Sequence, residues 1–334
     1  MDKKDTILLA HGGGGSRSAE LTRGLFQRFL RDPLLLEMDD AARLPGRPGA
    51  VFTTDSFVVR PLFFPGGDIG RLAVCGTVND LAVMGAEPLW LSIGFIIEEG
   101  FPVADLERVL ASIARACREA GVRIVCADTK VVERGKADGL FINTSGIGRP
   151  AFRRPVLAGR ARPGDAVLVS GPIGLHGVAV LTARGEFGLE TRVRSDVAPL
   201  WGLVKTCRLL DVPFMRDPTR GGLAQTLNEL AQGRPFGVRI DEASLPVPRD
   251  VAAVCDLLGL DPLQVANEGK VVMVVSARDA AQALRLLRRQ RLGRGARRIG
   301  EITAENRGRV VMATRAGSER IVMPPAGEIL PRIC

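Results

Sequence analysis

The chain of 334 residues contains no tyrosine, two histidines and two tryptophans, and aromatic side chains make up 4% of it. Single-strand nucleic-acid binders interleave basic residues with stacking aromatics. That pattern is missing here despite a net charge of +9. The densest arginines, from Arg285 to Arg298, read as a solvated helix face followed by a basic loop. Long apolar runs are also lacking: none approaches the roughly 20 residues that a membrane-spanning helix needs. The start, Met1-Asp2-Lys3-Lys4-Asp5, has no apolar signal-peptide core. The expectations are no nucleic acid, no membrane and a cytoplasmic location. There is no C-x-x-C pair among the six cysteines and no metal-like spacing between them and the histidines, so they read as reduced thiols. Five lie in apolar or helical contexts and suit small core positions. Cys334 differs, because it ends the chain after Pro331-Arg332-Ile333.

The length suits two domains. Four glycines in His11-Gly12-Gly13-Gly14-Gly15-Ser16 predict a flexible loop within residues 1–35. Residues 36–150 form a first α/β unit. Its elements are a β-rich run at Phe52–Val59, a helix from Gly76 to Met84, a strand at Leu89–Ile97, a helix over Pro102–Ala120, a buried strand at Arg123–Ala127 and another strand at Leu140–Gly148. Arg149–Arg162 reads as a boundary. A second unit, 151–314, has strands at Ala166–Ser170, Val271–Ser276 and Arg309–Ala313. Its helices fall at Gly174–Ala183, Pro199–Leu210, Gly222–Gln232 and Ala280–Arg289. Each half is expected to be a sheet with helices on one side. Residues 315–334, rich in Pro and Gly, read as a mobile tail.

Neither G-x-x-x-x-G-K-[ST] nor G-x-G-x-x-G after a strand is present, which argues against P-loop and Rossmann sites. Instead, aspartates interrupt or close elements. Asp55 breaks a β-rich run, Asp80 follows Asn79 at an expected helix start, Asp128 closes a strand before Thr129-Lys130, and Asp217 opens Asp217-Pro218-Thr219-Arg220-Gly221-Gly222. Each alone reads as a cap or turn aspartate, and Asp80 and Asp217 suit caps. Together, beside glycine-rich turns, they suit a hard cation shared with phosphate oxygens. Glu268, in Asn267-Glu268-Gly269-Lys270, and Lys130 are by themselves a turn residue and a surface lysine.

Phe52-Thr53-Thr54-Asp55-Ser56-Phe57-Val58-Val59, Gly66-Gly67-Asp68-Ile69-Gly70 and Gly76-Thr77-Val78-Asn79-Asp80-Leu81-Ala82-Val83-Met84-Gly85-Ala86 form a specific combination. Asp128-Thr129-Lys130-Val131-Val132, Arg194-Ser195-Asp196-Val197-Ala198-Pro199-Leu200, the Asp217 and Asn267 motifs and the ending Pro331-Arg332-Ile333-Cys334 extend it over almost the whole chain. The chain thereby resembles the hydrogenase-maturation carbamoyl dehydratases (HypE), of the aminoimidazole ribonucleotide synthetase-like (PurM-like) ATP-binding superfamily. The resemblance implies two α/β (α+β) domains, a homodimer joined through the N-terminal sheets, and an ATP site between the domains. It implies Mg²⁺ at Asp55, Asp80 and Asp128, with Asp68, Asn79, Thr129, Asp217 and Asn267 at the nucleotide. The His11 glycine loop is expected to close over that nucleotide. A carbamoyltransferase (HypF) is implied to load Cys334. ATP-dependent dehydration to a thiocyanate then uses Glu268 as base and Lys130 against phosphoryl charge. The cyanide passes to a HypC–HypD scaffold for the iron of NiFe hydrogenase.

The chain departs from that family pattern in three places. Cys126-Ala127 replaces a threonine and glycine, Leu175 replaces the aspartate before His176, and Gly14 replaces a serine. Selenophosphate synthetases share the ATP-site logic but carry a Cys or selenocysteine and a Lys in the glycine loop; this loop offers His11, Ser16 and Arg17. The aminoimidazole synthetase reading gives a terminal cysteine no purpose. A nucleotide-bound scaffold docking through Arg285–Arg298 is the non-enzymatic alternative.

Overall fold

In a computed structural model the described residues are 20–29, 34, 39–46, 49–186, 188–327, 330 and 332–334. The His11 glycine run, with Gly14, lies outside them. The first half is a five-stranded sheet of order β1-β2-β7-β5-β6. Its strands are β1 (Ala42–Leu44), β2 (Ala50–Phe57), β5 (Ala86–Glu98), β6 (Arg123–Val132) and β7 (Leu140–Pro150). A small ribbon, β3 (Phe63–Phe64) with β4 (Gly67–Asp68), leads into helix α1 (Ile69–Val83), and α2 (Val103–Ala120) follows β5.

Alternation along β2 sets the site. Val51, Thr53 and Phe57 are buried while Phe52, Thr54 and Ser56 are exposed, so Asp55 shares the parity of the covered face. Helix α1 lies against that face and is buried at nearly every position. It starts at Ile69, seven residues before the expected Gly76, because Asp68 caps it by accepting from Gly70 N (2.8 Å) and Arg71 N (3.0 Å). Asp80 is therefore an interior helix residue and not a cap. Helix α2 buries Val109, Ile113 and Cys117, one turn apart, and Gly70 lets it approach α1: a Cβ there would sit 2.7 Å from Val109 O. The expected buried strand at Arg123 is instead the exposed edge strand β6, continued to Val132 through parallel pairing with β5.

The second half is a seven-stranded sheet of order β14-β13-β10-β12-β8-β11-β9. These strands are β8 (Ala166–Val169), β9 (Phe214–Arg216), β10 (Gly237–Asp241), β11 (Val272–Val275), β12 (Arg297–Thr303), β13 (Val310–Ala313) and β14 (Glu319–Ile321). Its helices are α3 (Leu175–Ala183), α4 (Trp201–Val204), α5 (Gly222–Ala231), α6 (Arg249–Leu258) and α7 (Ala280–Arg288). Strands β8 and β11 are wholly buried because both faces are covered. Leu223, Leu227 and Leu230 of α5 pack on Val167, Val169, Val272 and Val274. Leu203, Val204 and Leu287 pack with Leu168, Met273 and Val275 on the opposite face. Helices on one side only is thus corrected for this half. The Pro199–Leu210 helix is reduced to α4 and a short turn at Lys205–Cys207, and part of the arginine-rich stretch is β12 rather than loop.

Asn79, fully buried on α1, joins the halves. Its Nδ2 donates to Ala198 O (3.1 Å) and Glu268 O (3.3 Å), and its Oδ1 accepts from Leu200 N (2.8 Å). Removing such a group leaves buried backbone atoms unpaired, at about 1–3 kcal/mol. Asn79→Ala is expected to lower the unfolding free energy by about 2 kcal/mol in chemical denaturation. Asn79→Asp should not restore it, because a carboxylate accepts from Leu200 but donates to neither carbonyl.

Candidate active site

A cavity of about 200 Å³ opens between the halves, lined by Asp55, Gly76, Asp80, Asp217, Thr219, Arg220, Glu268 and Cys334. Gly76 and Asp80 stand one turn apart on α1, and Thr53 Oγ1 donates to Asp80 Oδ2 at 2.9 Å. Asp217, Thr219 and Arg220 come from the turn between β9 and α5. That turn needs both glycines. Gly221 and Gly222 have φ of 72° and 59°, and a Cβ on Gly222 would lie 2.6 Å from Leu263 O and Val265 O. Glu268 precedes β11; its N donates to Asp196 Oδ1 at 3.2 Å, and Asp196 pairs with Lys270 at 3.0 Å out of solvent. Gly269 permits this packing, since a Cβ would meet Asp196 O at 1.8 Å.

The end of the chain is seated in this cavity, mostly by its backbone. Arg332 O accepts from Arg60 N and from an Arg184 Nη, each at 3.1 Å. The Arg332 guanidinium donates to Val58 O at 2.9 Å and pairs with Asp138. Ile333 is buried in the first-half core, and its carbonyl meets His176 Nε2 at 2.8 Å. A carbonyl only accepts, so His176 carries its proton on Nε2, and Nδ1 accepts from Ser195 Oγ at 2.8 Å. Burial holds His176 below its ordinary value, against the pull of Asp196, which keeps the ring neutral. Leu175 packs into the apolar cluster of α3 and α6, so Ser195, not a carboxylate at 175, orients His176. Val58 N donates to Cys334 O at 3.2 Å, and Arg220 Nε reaches Cys334 Sγ at 2.9 Å.

Electrostatically the cavity is an acid cluster. Burial, then the repulsion of Asp217, Asp40 and Asp55, pushes Asp80 well above the carboxylate range. Burial and the charge of Asp40 push Asp217 up to about 8. Asp55 is raised by burial, against the pull of Arg220 and the Ser56 N–H. Glu268 is raised well above its ordinary value by burial, then by Asp217, Asp196 and Asp55, with Arg220 opposing. Burial also pushes the Cys334 thiol up to about 12, although Arg220 draws it down. Carboxylates so placed cannot all ionise without a counter-cation. The donor set of Asp55, Asp80 and Asp217 suits a hard cation bound mainly through water and phosphate oxygens, the habit of Mg²⁺. Among the described residues no group of three or more His, Cys, Asp or Glu is placed to hold a metal ion by itself, so such a cation would rely on the phosphate oxygens and water.

The structure brings together Asp55, Asp80, Asp217, Glu268 and Cys334. It does not bring Asp128, Thr129 and Lys130 to them. These three are exposed on β6, where Lys130 Nζ and Asp128 Oδ2 pair at 2.7 Å. Asp68 is a helix cap and Asn79 a domain clamp. Asn267 is fully buried and structural: Oδ1 accepts from Gly174 N (2.7 Å) and Nδ2 donates to Pro218 O (3.0 Å) and Val265 O (3.1 Å). Sequence reasoning left out Arg220 and His176 as site residues. The signal for Arg220 was an arginine between Thr219 and two glycines, a turn that can aim it inward.

Residues 38–149 match the N-terminal domain, and residues 162–313 the C-terminal domain, of the AIR synthase related proteins. The carbamoyl dehydratase HypE of Cupriavidus necator is 50% identical over 336 residues, spanning 99% of this chain and 96% of that protein. A solved HypE–HypF complex contains a chain similar at TM-score 0.87 and 48% identity, covering 91% of this chain and 99% of that one. The structure of a hydrogenase maturation protein HypE in complex with ATP is similar at TM-score 0.82 and 47% identity, covering 98% and 100%. With both domains matched in order and near-complete overlap with relatives of this identity, the chain belongs to the HypE family of the AIR synthase related proteins.

Proposed function

We propose that the chain is a carbamoyl dehydratase that, using ATP, converts an S-carboxamide on its own Cys334 into a thiocyanate, the source of cyanide ligands for the iron of NiFe hydrogenase. The observation that carries this reading is the seating of Cys334 Sγ in the acid-lined cavity beside Arg220 and Glu268. Relatives named for this activity, and one bound to ATP, support it.

A docked thiol held near pKa 12 is protonated at neutral pH and walled in, hence a poor nucleophile. Loading by a carbamoyltransferase of the HypF kind therefore takes place with the tail withdrawn. Strand β14 and the buried Val322 tie the first part of the expected 315–334 tail to the second sheet, so the carrier arm between the two sites is the segment that follows, 323–334. On return, the backbone bonds of Arg332, Ile333 and Cys334 set the carbamoyl group in the cavity. Its oxygen takes the γ-phosphoryl group of ATP, which turns a poor leaving group into phosphate. Glu268, whose carboxylate is made more basic than usual by burial and by its acidic neighbours, removes the N–H proton as phosphate departs. Asp55, Asp80 and Asp217 are the residues that would hold Mg²⁺, which supplies neutralisation of phosphate charge when bound.

Strand β6 is an exposed sheet edge carrying Val125 and Val131 at 59% and 69% exposure. Pairing of such edges across a two-fold axis is the homodimer we propose. Asp128, Thr129 and Lys130 lie on the same edge, so their expected part in phosphate binding depends on that association. Val131→Glu is expected to yield monomers in light scattering; an unchanged oligomeric state would reject the β6 interface. The thiocyanate is passed to a HypC–HypD scaffold, and the cytoplasm, where reduced thiols persist, is the compartment assigned.

Two further outcomes are expected. With carbamoyltransferase, carbamoyl phosphate and ATP, Glu268→Gln should gain the carbamoyl mass on its tail peptide and stall there. Water loss should be slowed about 100- to 10,000-fold, and native-rate water loss removes Glu268 as base. The second concerns docking. The docked thiol sits above the ordinary value of about 8.5, so docking favours the protonated form. That contribution is complete below pH 8.5 and is lost as pH rises toward 12. Trypsin cleavage at Arg332, relative to an exposed reference bond, should be slow at pH 7. It should rise by up to about tenfold per pH unit above 9, and Cys334→Ala should abolish the rise.

A further inference from the structure

The geometry points to Arg220 as a catalytic residue: its guanidinium grips the sulfur and the carbonyl oxygen of the S-carbamoyl group and stabilises phosphate as it leaves. This rests on the dehydration reading above. Among the eight residues lining the cavity Arg220 is the one cation, set against Asp55, Asp80, Asp217 and Glu268. It already touches the atom that bears the substrate, with Nε 2.9 Å from Cys334 Sγ. The glycine-dependent turn from Asp217 to Gly222 fixes its backbone, with Thr219 N donating to Asp217 O and Gly222 N to Thr219 O, each at 3.0 Å. The tail is seated independently through Arg332, Ile333 and the Cys334 carboxylate. Sulfur and guanidinium thus meet from two separately anchored directions.

A guanidinium presents parallel N–H groups in a rigid fork. In a carbamoyl thioester the oxygen is two bonds from sulfur, so a fork with Nε on sulfur brings an adjacent Nη–H to that oxygen. The contact fixes rotation about the S–C bond and directs the nitrogen toward the rest of the cavity, where Glu268 lies. Phosphoryl transfer to the carbamoyl oxygen leaves S–C(=NH₂⁺)–O–phosphate, which releases its first N–H proton to water and becomes S–C(=NH)–O–phosphate. In the expulsion step Glu268 takes the remaining N–H proton, the third C–N bond forms from that electron pair, and the C–O bond breaks. The C–O pair leaves with the phosphate oxygen, which gains a full negative charge among four carboxyl groups. Arg220 donates to that oxygen as the charge appears, where a donor contributes most to rate. No oxidant or further reactant is needed.

The test follows single-turnover water loss from Cys334, preloaded with ¹³C-carbamoyl, in the native chain and in Arg220→Lys and Arg220→Ala. Arg220→Ala is expected to retain loading and to lose water about 100- to 1,000-fold more slowly. Arg220→Lys should stay well below native because an ammonium cannot fork, and millimolar guanidinium, but not methylammonium, should speed Arg220→Ala. Before ATP is added, the carbamoyl ¹³C resonance of the folded native chain should lie downfield of that in both variants. Dehydration of Arg220→Ala within about threefold of native, rescue by both cations alike, or identical ¹³C shifts would overturn the assignment. If the native chain itself loses no water, it is the dehydratase reading that fails.

Discussion

The site depends on the 2.9 Å contact between Arg220 Nε and Cys334 Sγ inside a cavity of carboxyl groups. Four acids in one buried space repel each other, and burial drives them toward their neutral forms. One guanidinium is the lining group that opposes this, and the chain directs its terminal sulfur to it. The surrounding architecture serves that meeting. Asp55 lies on the covered face of β2 because of strand parity, Asp80 on the facing side of a helix that begins early, and Arg220 on a turn that only glycines can close.

The tail is anchored by atoms that the chemistry never alters. The carbonyls of Arg332 and Ile333 and the carboxylate of Cys334 accept from Arg60, Arg184, His176 and Val58, and the Arg332 side chain reaches Asp138 and Val58 O. None of these bonds involves sulfur. The same seat therefore suits a thiol, a carboxamide or a thiocyanate, and what the sulfur carries changes only the contact with Arg220 and the cavity acids. A carrier that must dock in three chemical states requires this separation. The neutral His176 ring is part of it: its Nε2–H points at Ile333 O while Nδ1 accepts from Ser195 Oγ.

Much of this was legible in the sequence. The two-unit division, most strands of the first half and the helices α2, α3, α5 and α7 follow from apolar spacing with Gly and Pro breaks. Asp55 was marked by a carboxylate interrupting a β-rich run, and Cys334 by its terminal position. The early start of α1 was hidden because Asp68 sits in a glycine-rich stretch that reads as loop, and its capping bonds exist only once the helix forms. The edge position of β6 was equally hidden, since Ile124, Val125, Val131 and Val132 look like core residues whether or not a neighbour covers them. Asp128 and Lys130 share a motif but project from that edge, away from the cavity, as an exposed pair. The role of Arg220 needed the fold, because sulfur and guanidinium are 114 positions apart in the chain.

The central claim is that Cys334 itself carries the carbon that becomes cyanide. Infrared spectroscopy of the chain loaded from ¹³C-carbamoyl phosphate tests it most directly. On addition of ATP, a nitrile stretch should appear, shift to lower frequency with the heavy isotope, and be absent from Cys334→Ala. A nitrile band that forms equally in Cys334→Ala, or no band at all in a native chain that is loaded and hydrolysing ATP, would contradict the account.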